Sequence, residues 1–499
     1  MADSKEVKDQ KAVKKESKKD QKAVKKESKL KLFTENFLVY GVGGIISKII
    51  PLIMVPIVTR IMPDSTYFGI SDMANTVLSF TTAISVMGMY DAMYRMFFEK
   101  DDENYKKEVC STTFEFTLIT SAIVFLLMLI FERPIAKFFF SDYKYASVVY
   151  ITAMATLIGG TNTIISAPTR MQNQRKIFLI TNTLGPVISY GIAIPLLLKG
   201  FYVIALPLSA LISNAVMELS FWLLNRHWFH FKKIDKKLLK QLLAIAIPLF
   251  PNFLIYWVFN SSDRVMITNL MNIGASGIYS VGSKLGHASQ LIYTAFAGGW
   301  QYFAFSTMKE DDQVESNSRI FEYLGIISFV ATTFICAWSY GIYKLLFTGD
   351  YVEGFIVAPY LFLAPLLQML FQVIANQFLV VKKTWPNIFI LSSGAIVNII
   401  LNFVMIPQIG IEGAAIASLI GYCVSDIICS IVLIKMKLMV ISGRFIIAAT
   451  LMTAYFFIWR LLFSRSIVFG TILALVFSAV FIYLYRKEAK AIVGKLKKK

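Results

Sequence analysis

The chain has 499 residues, of which 56% are hydrophobic and 16% charged, with a formal net charge of +19. Mean hydropathy is +0.62, and apolar stretches run from Val39 to Tyr485 with little soluble sequence between them. This excludes a soluble catalytic domain. The charge does not mark a nucleic-acid surface either, because 12 of the 50 Lys and Arg lie in residues 1–31 and seven lie in residues 486–499, as tails that flank the apolar region.

Residues 1–32 form a basic, low-complexity tail in which Lys8–Lys18 (KDQKAVKKESK) is repeated residue for residue at Lys19–Lys29. Such a segment lacks the apolar surface to fold. It reads as a solvated tail, and its lysines would be attracted to an anionic leaflet by about 1 kcal/mol each. No cleavable leader is expected: the charged stretch is too long, and no small-residue cleavage site follows Thr59, so the first apolar run is retained.

About 20 apolar residues cross a ~30 Å hydrocarbon core as a helix. By that length the chain holds about 14 spans, at 37–59, 71–97, 111–131, 146–167, 177–198, 201–224, 239–260, 275–300, 320–346, 353–380, 386–406, 412–434, 444–463 and 467–485. The expected fold is all-α, a polytopic membrane protein. An even count puts both termini on one side. With the tails cytoplasmic, the inner connectors carry 20 Lys and Arg against eight in the outer ones, as the positive-inside rule requires. His227–Phe231 (HWFHF) reads as an aromatic belt after span 6.

A repeat with an offset of about 210 residues divides the spans. Phe114-Glu115-Phe116 corresponds to Phe321-Glu322-Tyr323, Met62–Ser71 (MPDSTYFGIS) to Met271–Ser280 (MNIGASGIYS), Ile194-Pro195 to Ile406-Pro407, and Glu218 to Asp426. The expected organisation is a six-helix bundle over 33–230, a second over 231–438, a terminal helix pair over 439–486 and a basic tail over 487–499. Six is an even number, so the bundles insert in the same orientation, and parallel repeats with a site at their interface are a known transporter plan.

Charged residues at depth cost about 2.5–3.5 kcal/mol on insertion scales, so each one is a functional candidate. Span 1 carries Lys48 near its middle, followed by Pro51 and Pro56, and ends at Arg60. Span 2 ends with Asp91 and Arg95 at i, i+4, which reads equally as a salt bridge and as a substrate contact. Span 7 has a polar stripe of Asn252, Tyr256, Asn260, Asp263 and Arg264 after Pro248 and Pro251, and span 8 carries Lys284 and His287. Gln368, Gln372 and Asn376 follow one another at i, i+4 in span 10, and Asn398 and Asn402 do so in span 11. Such amides serve either as helix–helix glue or as partners for sugar hydroxyls. The deep charges are mainly cationic, which suits an anionic ligand. Acids such as Asp72, Asp91, Asp263, Glu218 and Asp426 lie mostly toward span ends, and Asp263, Glu218 and Asp426 are candidates for a coupling cation, a proton or sodium. The four Cys and three His have no metal-ligand spacing, and no cofactor is expected.

Span 1 ends in Thr59-Arg60-Ile61-Met62-Pro63, followed by Tyr67-Phe68-Gly69, and span 7 ends in Asp263-Arg264-Val265-Met266-Ile267, followed by Gly277-Ile278-Tyr279-Ser280. With the 6+6+2 plan, these motifs make the chain resemble, over about residues 33–485, the polysaccharide transport family of the multidrug/oligosaccharidyl-lipid/polysaccharide exporter superfamily. Phe68, inserted in the family's Tyr-Gly pair, and the basic repeat tail depart from its pattern. The resemblance implies a flippase of the bacterial cytoplasmic membrane, not an enzyme, that moves undecaprenyl-pyrophosphate-linked oligosaccharides for O-antigen, capsule or exopolysaccharide assembly. A polysaccharide polymerase and chain-length machinery would be its partners. On that reading Lys48, Lys284 and Arg264 hold the pyrophosphate, Gln368, Gln372, Asn376 and Asn398 contact sugars, and Arg60 and Arg95 are further substrate-binding candidates. The rivals are a cation-coupled multidrug antiporter of the same superfamily, which would need an acidic cavity, and a lipid II flippase. A membrane glycan polymerase would need a large external loop, and the longest outer connectors have about 14 residues. No P-loop is present.

Overall fold

A computed structural model describes residues 49–230, 235–308, 310–383 and 385–488. Every regular element among the described residues is helical: α1 (Ile49–Ile61), α2 (Ser65–Val86), α3 (Met89–Phe97), α4 (Glu103–Ile130), α5 (Glu132–Phe140), α6 (Ala146–Ile165), α7 (Ala167–Met171), α8 (Arg175–Leu198), α9 (Ala205–Asn225), α10 (Lys236–Leu270), α11 (Ile273–Gly286), α12 (Ser289–Ser306), α13 (Gln313–Leu346), α14 (Ala358–Val380), α15 (Trp385–Ile409), α16 (Ile411–Lys435), α17 (Gly443–Ile458) and α18 (Ile467–Leu484). Among the described residues, 11 helices are long and apolar enough to cross a membrane, and the chain is a polytopic helical membrane protein. The expected spans missing from that count are the first, described only from Ile49, and spans 2 and 8, which are interrupted. Span 2 breaks at Met87 and Gly88, both at positive φ, into α2 and α3. Span 8 breaks after Gly286 into α11 and α12.

The connectors define two ends. The distal end carries the α1–α2, α8–α9 and α10–α11 junctions, and the proximal end carries the α9–α10 and α16–α17 junctions. Two distal connectors expected as loops are partly helical. α5 fills the one before α6, with Ala136 and Phe140 buried, and a 3₁₀ stretch at Gly349–Ile356 occupies the corresponding place before α14.

The repeated motif Met62–Ser71/Met271–Ser280 has a structural reason. Asp64 caps α2 by accepting from the Thr66 N–H at 2.8 Å, and Asn272 caps α11 by accepting from the Ala275 N–H at 2.8 Å, each closing an otherwise unpaired helix start. The two helices then cross in contact. A Cβ on Gly69 would lie 2.0 Å from the Ile273 carbonyl oxygen, and one on Gly277 would lie 2.1 Å from the Ser65 carbonyl oxygen. The contact is reciprocal, with each glycine meeting the backbone four residues before the other. Only a residue without a Cβ permits this approach.

α10 contributes to three cores, and its buried Val265 joins one with Ile70, Met73 and Val148. Near its start α10 contributes Leu238, Leu242 and Ala246 to a cluster with Met89, Met93, Cys110 and Phe114. Its later residues Phe259 and Ile267 join the large cluster built around α13, α14 and α16. Pro248 and Pro251 lie between the two parts.

The terminal pair α17–α18 is fastened to α13. Buried Glu322 accepts from the Ser442 N–H (2.6 Å), the Ser442 hydroxyl (2.8 Å) and the Tyr485 hydroxyl (2.8 Å), and the Tyr455 hydroxyl donates to the Thr333 carbonyl at 2.8 Å. Glu412 of α16 accepts from Arg460 Nε at 2.7 Å and from the Tyr360 hydroxyl at 3.0 Å.

Because backbone faces backbone at the α2–α11 crossing, Gly277→Ala is expected to destabilise the purified protein by about 1–3 kcal/mol. Gly191→Ala in α8, where a Cβ meets nothing within 4 Å, should stabilise by up to about 1 kcal/mol through helix propensity. Thermal unfolding of the two variants in detergent checks the opposite signs.

Candidate functional site

The central site lies just below the glycine crossing. Asp72 follows Gly69 by three residues on α2, and Lys284 follows Gly277 by seven on α11, so both lie on the faces that meet. Asp72 is buried (8% side-chain exposure) and forms an ion pair with Arg264 Nε of α10 at 2.7 Å. Its other oxygen lies 4.0 Å from Lys284 Nζ. Arg264 also donates to the Asn260 carbonyl and to the Ser283 hydroxyl at 3.2 Å. Its guanidinium lies 6.0 Å from the Tyr279 ring centroid, within cation–π range. Arg264 is 12% exposed and Lys284 is 38% exposed, so Lys284 keeps more unspent hydrogen-bonding capacity. Two cations of the second half thus share one acid of the first. Leaving either Asp72 or Arg264 alone in this position would cost several kcal/mol.

Asp263, next to Arg264 in sequence, points the other way. One of its oxygens accepts from Asn402 Nδ2 at 2.7 Å and from Asn398 Nδ2 at 3.3 Å. The other accepts from the Tyr279 hydroxyl at 2.7 Å and from the Ser418 hydroxyl. The carboxylate is held by donors from α11, α15 and α16, all in the second half. The narrow cleft beside it is lined by Asn260, Arg264, His287, Gln290, Gln368 and Tyr422, among others, and its open volume is about 10 Å³, which is the threshold for a single water. No pyrophosphate or sugar fits there without a movement of the helices.

The remaining sequence candidates fall in different places. Lys48 lies outside the described residues. Arg60 is exposed at the distal end, where its guanidinium donates to the Leu345 and Leu346 carbonyls at 3.2 Å and so caps the last turn of α13. Arg95 and Asp91 are exposed on α3, and no ion pair joins them among the described residues. Gln368 lines the central cleft. Gln372 and Asn376 continue that face one and two turns along α14, and the Gln372 Oε1 and Asn376 Nδ2 atoms are buried with no hydrogen-bond partner among the described residues. Asn398 is engaged with Asp263 and with the Ser418 hydroxyl at 3.1 Å. Glu218 stands apart in the first half, accepting from the Thr161 hydroxyl between α6 and α9. Asp426 is buried in α16, and neither carboxylate oxygen has a hydrogen-bond partner among the described residues.

Sequence reasoning did not place Asp72, Asn402, Ser418 or Tyr279 in the site. Asn402 and Tyr279 carried a signal, the first as the i+4 companion of Asn398 and the second inside the repeated motif. Asp72 and Ser418 carried none strong enough to separate them from ordinary span residues.

The family model described as "Polysaccharide biosynthesis protein" matches residues 57–355. No curated protein matches the sequence. Among solved structures, lipid II flippase MurJ in an inward closed conformation superposes with a TM-score of 0.69 at 15% identity, covering 91% of this chain and 99% of that one. An inward-facing multidrug resistance MATE transporter gives 0.57 at 14% identity, covering 79% and 98%. A Pyrococcus furiosus transporter of the same superfamily, described as having a binding pocket of reverse polarity, gives 0.53 at 13% identity, covering 81% and 95%. At these identities the likeness shows the fold.

A double-mutant cycle over Asp72→Asn and Arg264→Gln should return a coupling energy of about 1–3 kcal/mol in thermal or denaturant unfolding, since the two charges are in contact at 2.7 Å. Additive losses would show that the ion pair does not join the halves. The chain belongs to the family of polysaccharide biosynthesis proteins and carries the fold of the multidrug/oligosaccharidyl-lipid/polysaccharide exporter superfamily.

Proposed function

We propose that this protein is a flippase that carries undecaprenyl-pyrophosphate-linked oligosaccharides from the cytoplasmic to the outer leaflet of a bacterial cytoplasmic membrane. On this reading both tails are cytoplasmic, the distal end faces outward, and no covalent step is involved. The observation that carries the proposal is the sharing of Asp72 by Arg264 and Lys284. A bare pyrophosphate cannot leave water for hydrocarbon, because an uncompensated buried charge costs many kcal/mol. Arg264 offers it a planar fork and Lys284 a point charge.

The geometry suggests how cargo moves the protein. The anion competes with Asp72 for the two cations. When it wins, the link between α2 of the first half and α10 and α11 of the second is broken, and the halves are free to part below the crossing. Gln368, Gln372 and Asn376 then face the sugars with amide groups, two of which have buried atoms without hydrogen-bond partners among the described residues. Asn398 is assigned instead to Asp263. That carboxylate, with the side-chain oxygens of Asn398, Asn402 and Ser418 nearby, suits a coupling sodium ion or proton better than Glu218 or Asp426, which have no comparable set of oxygens. A multidrug antiporter for cationic drugs would need unpaired acids, whereas Asp72 is held by Arg264 and Lys284 and Asp263 by four hydrogen-bond donors. A polysaccharide polymerase and chain-length machinery would act on the delivered cargo.

The test is translocation in proteoliposomes loaded with the lipid-linked oligosaccharide of the producing strain, read as access of an added glycosidase to the sugar. Lys284→Gln should slow it about 10–100-fold, the loss of one charge-assisted contact. An unchanged rate would sink the cationic site. Transport of lipid II at the same rate would redirect the cargo assignment.

Cation coupling has a separate readout. Sodium or a proton gradient should accelerate the native protein, and Asp263→Asn should remove that dependence. Loss of the dependence in Glu218→Gln or Asp426→Asn, with Asp263→Asn still responsive, would move the coupling site.

A further inference from the structure

A second cleft, far roomier than the central one, opens on the distal face of the first half. Its volume is about 720 Å³, within the range of small-molecule sites. Three connectors build it: the start of α2, the turn that leads into α6, and the α8–α9 junction. Four aromatic rings wall it, those of Tyr67, Tyr145, Phe201 and Tyr202. Tyr67 and Tyr202 face each other with centroids 5.3 Å apart and planes inclined at 53°. Phe201 is 51% exposed.

The charges of the lining are already committed. Asp64 accepts from the Thr66 N–H at 2.8 Å as the cap of α2. Lys144 pairs with Asp142 at 3.1 Å and lies 4.9 Å above the Tyr145 ring. One acid and one base, each with its own partner, leave no net field to select an ion. What remains is a set of π faces, tyrosine hydroxyls and the hydroxyls of Thr66 and Ser147. That chemistry fits an uncharged ligand with an apolar C–H face and a rim of hydroxyl groups, which describes a sugar. Aromatic side chains supply a large contact area with a fixed geometry, and tyrosine adds a polar tip.

The cleft is also tied to the α2–α11 crossing. The Asp64 carbonyl accepts from the Tyr351 hydroxyl at 3.0 Å, and Phe68, the neighbour of Tyr67, packs edge-on against Tyr351 at 6.3 Å. Tyr351 belongs to the second half. Parting the halves therefore breaks a contact made by one lining residue, Asp64.

We infer that this cleft is a glycan subsite that holds the oligosaccharide head of the cargo on the distal side after it has crossed. The inference rests on the flippase reading, which brings sugar to this face. It gives Tyr67, Phe201 and Tyr202 the role of sugar contacts, and none of these was a candidate from sequence.

The experiment uses full-length protein in nanodiscs and the strain's oligosaccharide repeat freed from lipid and pyrophosphate by mild acid. Saturation-transfer NMR should show contact to sugar protons. The double variant Phe201→Ala, Tyr202→Ala should bind about tenfold more weakly, the loss of two aromatic contacts, and Gly191→Ala, where a Cβ meets nothing within 4 Å, should bind as the native protein does. Unfolding temperatures confirm that the variants are folded, and Phe201→Ala alone, at an exposed side chain, serves if the double variant is not. Equal binding by native protein and cleft variants, or no saturation at millimolar oligosaccharide, overturns the subsite and leaves the aromatics as an interfacial belt. If the lipid-linked form is still translocated in a Lys284-dependent way, the flippase reading survives that failure. If it is not translocated either, both fall.

Discussion

The crossing of α2 and α11 is the constraint on which the interior depends. The carbonyl oxygens of Ser65 and Ile273 occupy the positions that Cβ atoms would take on Gly277 and Gly69. With the helices at that spacing, a short acid on one reaches a base on the other. Asp72 is one turn below Gly69, and it meets Arg264 at 2.7 Å and Lys284 at 4.0 Å. A wider crossing would put these charges beyond contact, and each would carry the cost of an unpaired ion inside a membrane protein. The close packing and the charge network are therefore one design.

α10 separates its two ionised groups by direction. Asp263 and Arg264 are consecutive, so their side chains leave the helix about 100° apart. The acid turns into the second half and is surrounded by four donors, Tyr279, Asn398, Asn402 and Ser418. The base turns toward the first half and takes Asp72 as its partner. The acid is thus secured within one rigid body, and the base bridges two. The difference leaves Asp263 internally satisfied and makes Arg264 the group whose partner lies across the halves.

Hydropathy made the spans legible because depth in the membrane is written in runs of about 20 residues. The repeat of Met62–Ser71 at Met271–Ser280 was legible too, while the capping by Asp64 and Asn272 and the meeting of Gly69 and Gly277 came only with the structure. Direction around a helix was less so. Asn398 reads from sequence as a sugar contact, but its amide faces Asp263. Arg60 reads as a substrate-binding candidate, but it caps α13. The breaks in spans 2 and 8 are also invisible to a hydropathy window, which averages over Met87–Gly88 and over His287. Asp72 was seen as an acid near a span end, while its importance comes from a tertiary crossing that no local pattern encodes.

The last constraint concerns motion. The cleft at Asp263 has room for about one water, so the arrangement described is closed to any large ligand. α2 and α11 can part by breaking side-chain contacts at their faces. α10 is tied along its length, because Leu238, Leu242 and Ala246 are buried with Met89 and Phe114, Val265 with Ile70 and Met73, and Phe259 and Ile267 in the large cluster. If the halves rock, as the proposed mechanism requires, α10 must bend between Ala246 and Phe259. Pro248 and Pro251 lie in that interval. Each lacks the N–H that would close a helical hydrogen bond, so the ladder is already open there. The proline stretch is thereby the point on α10 where a bend costs least.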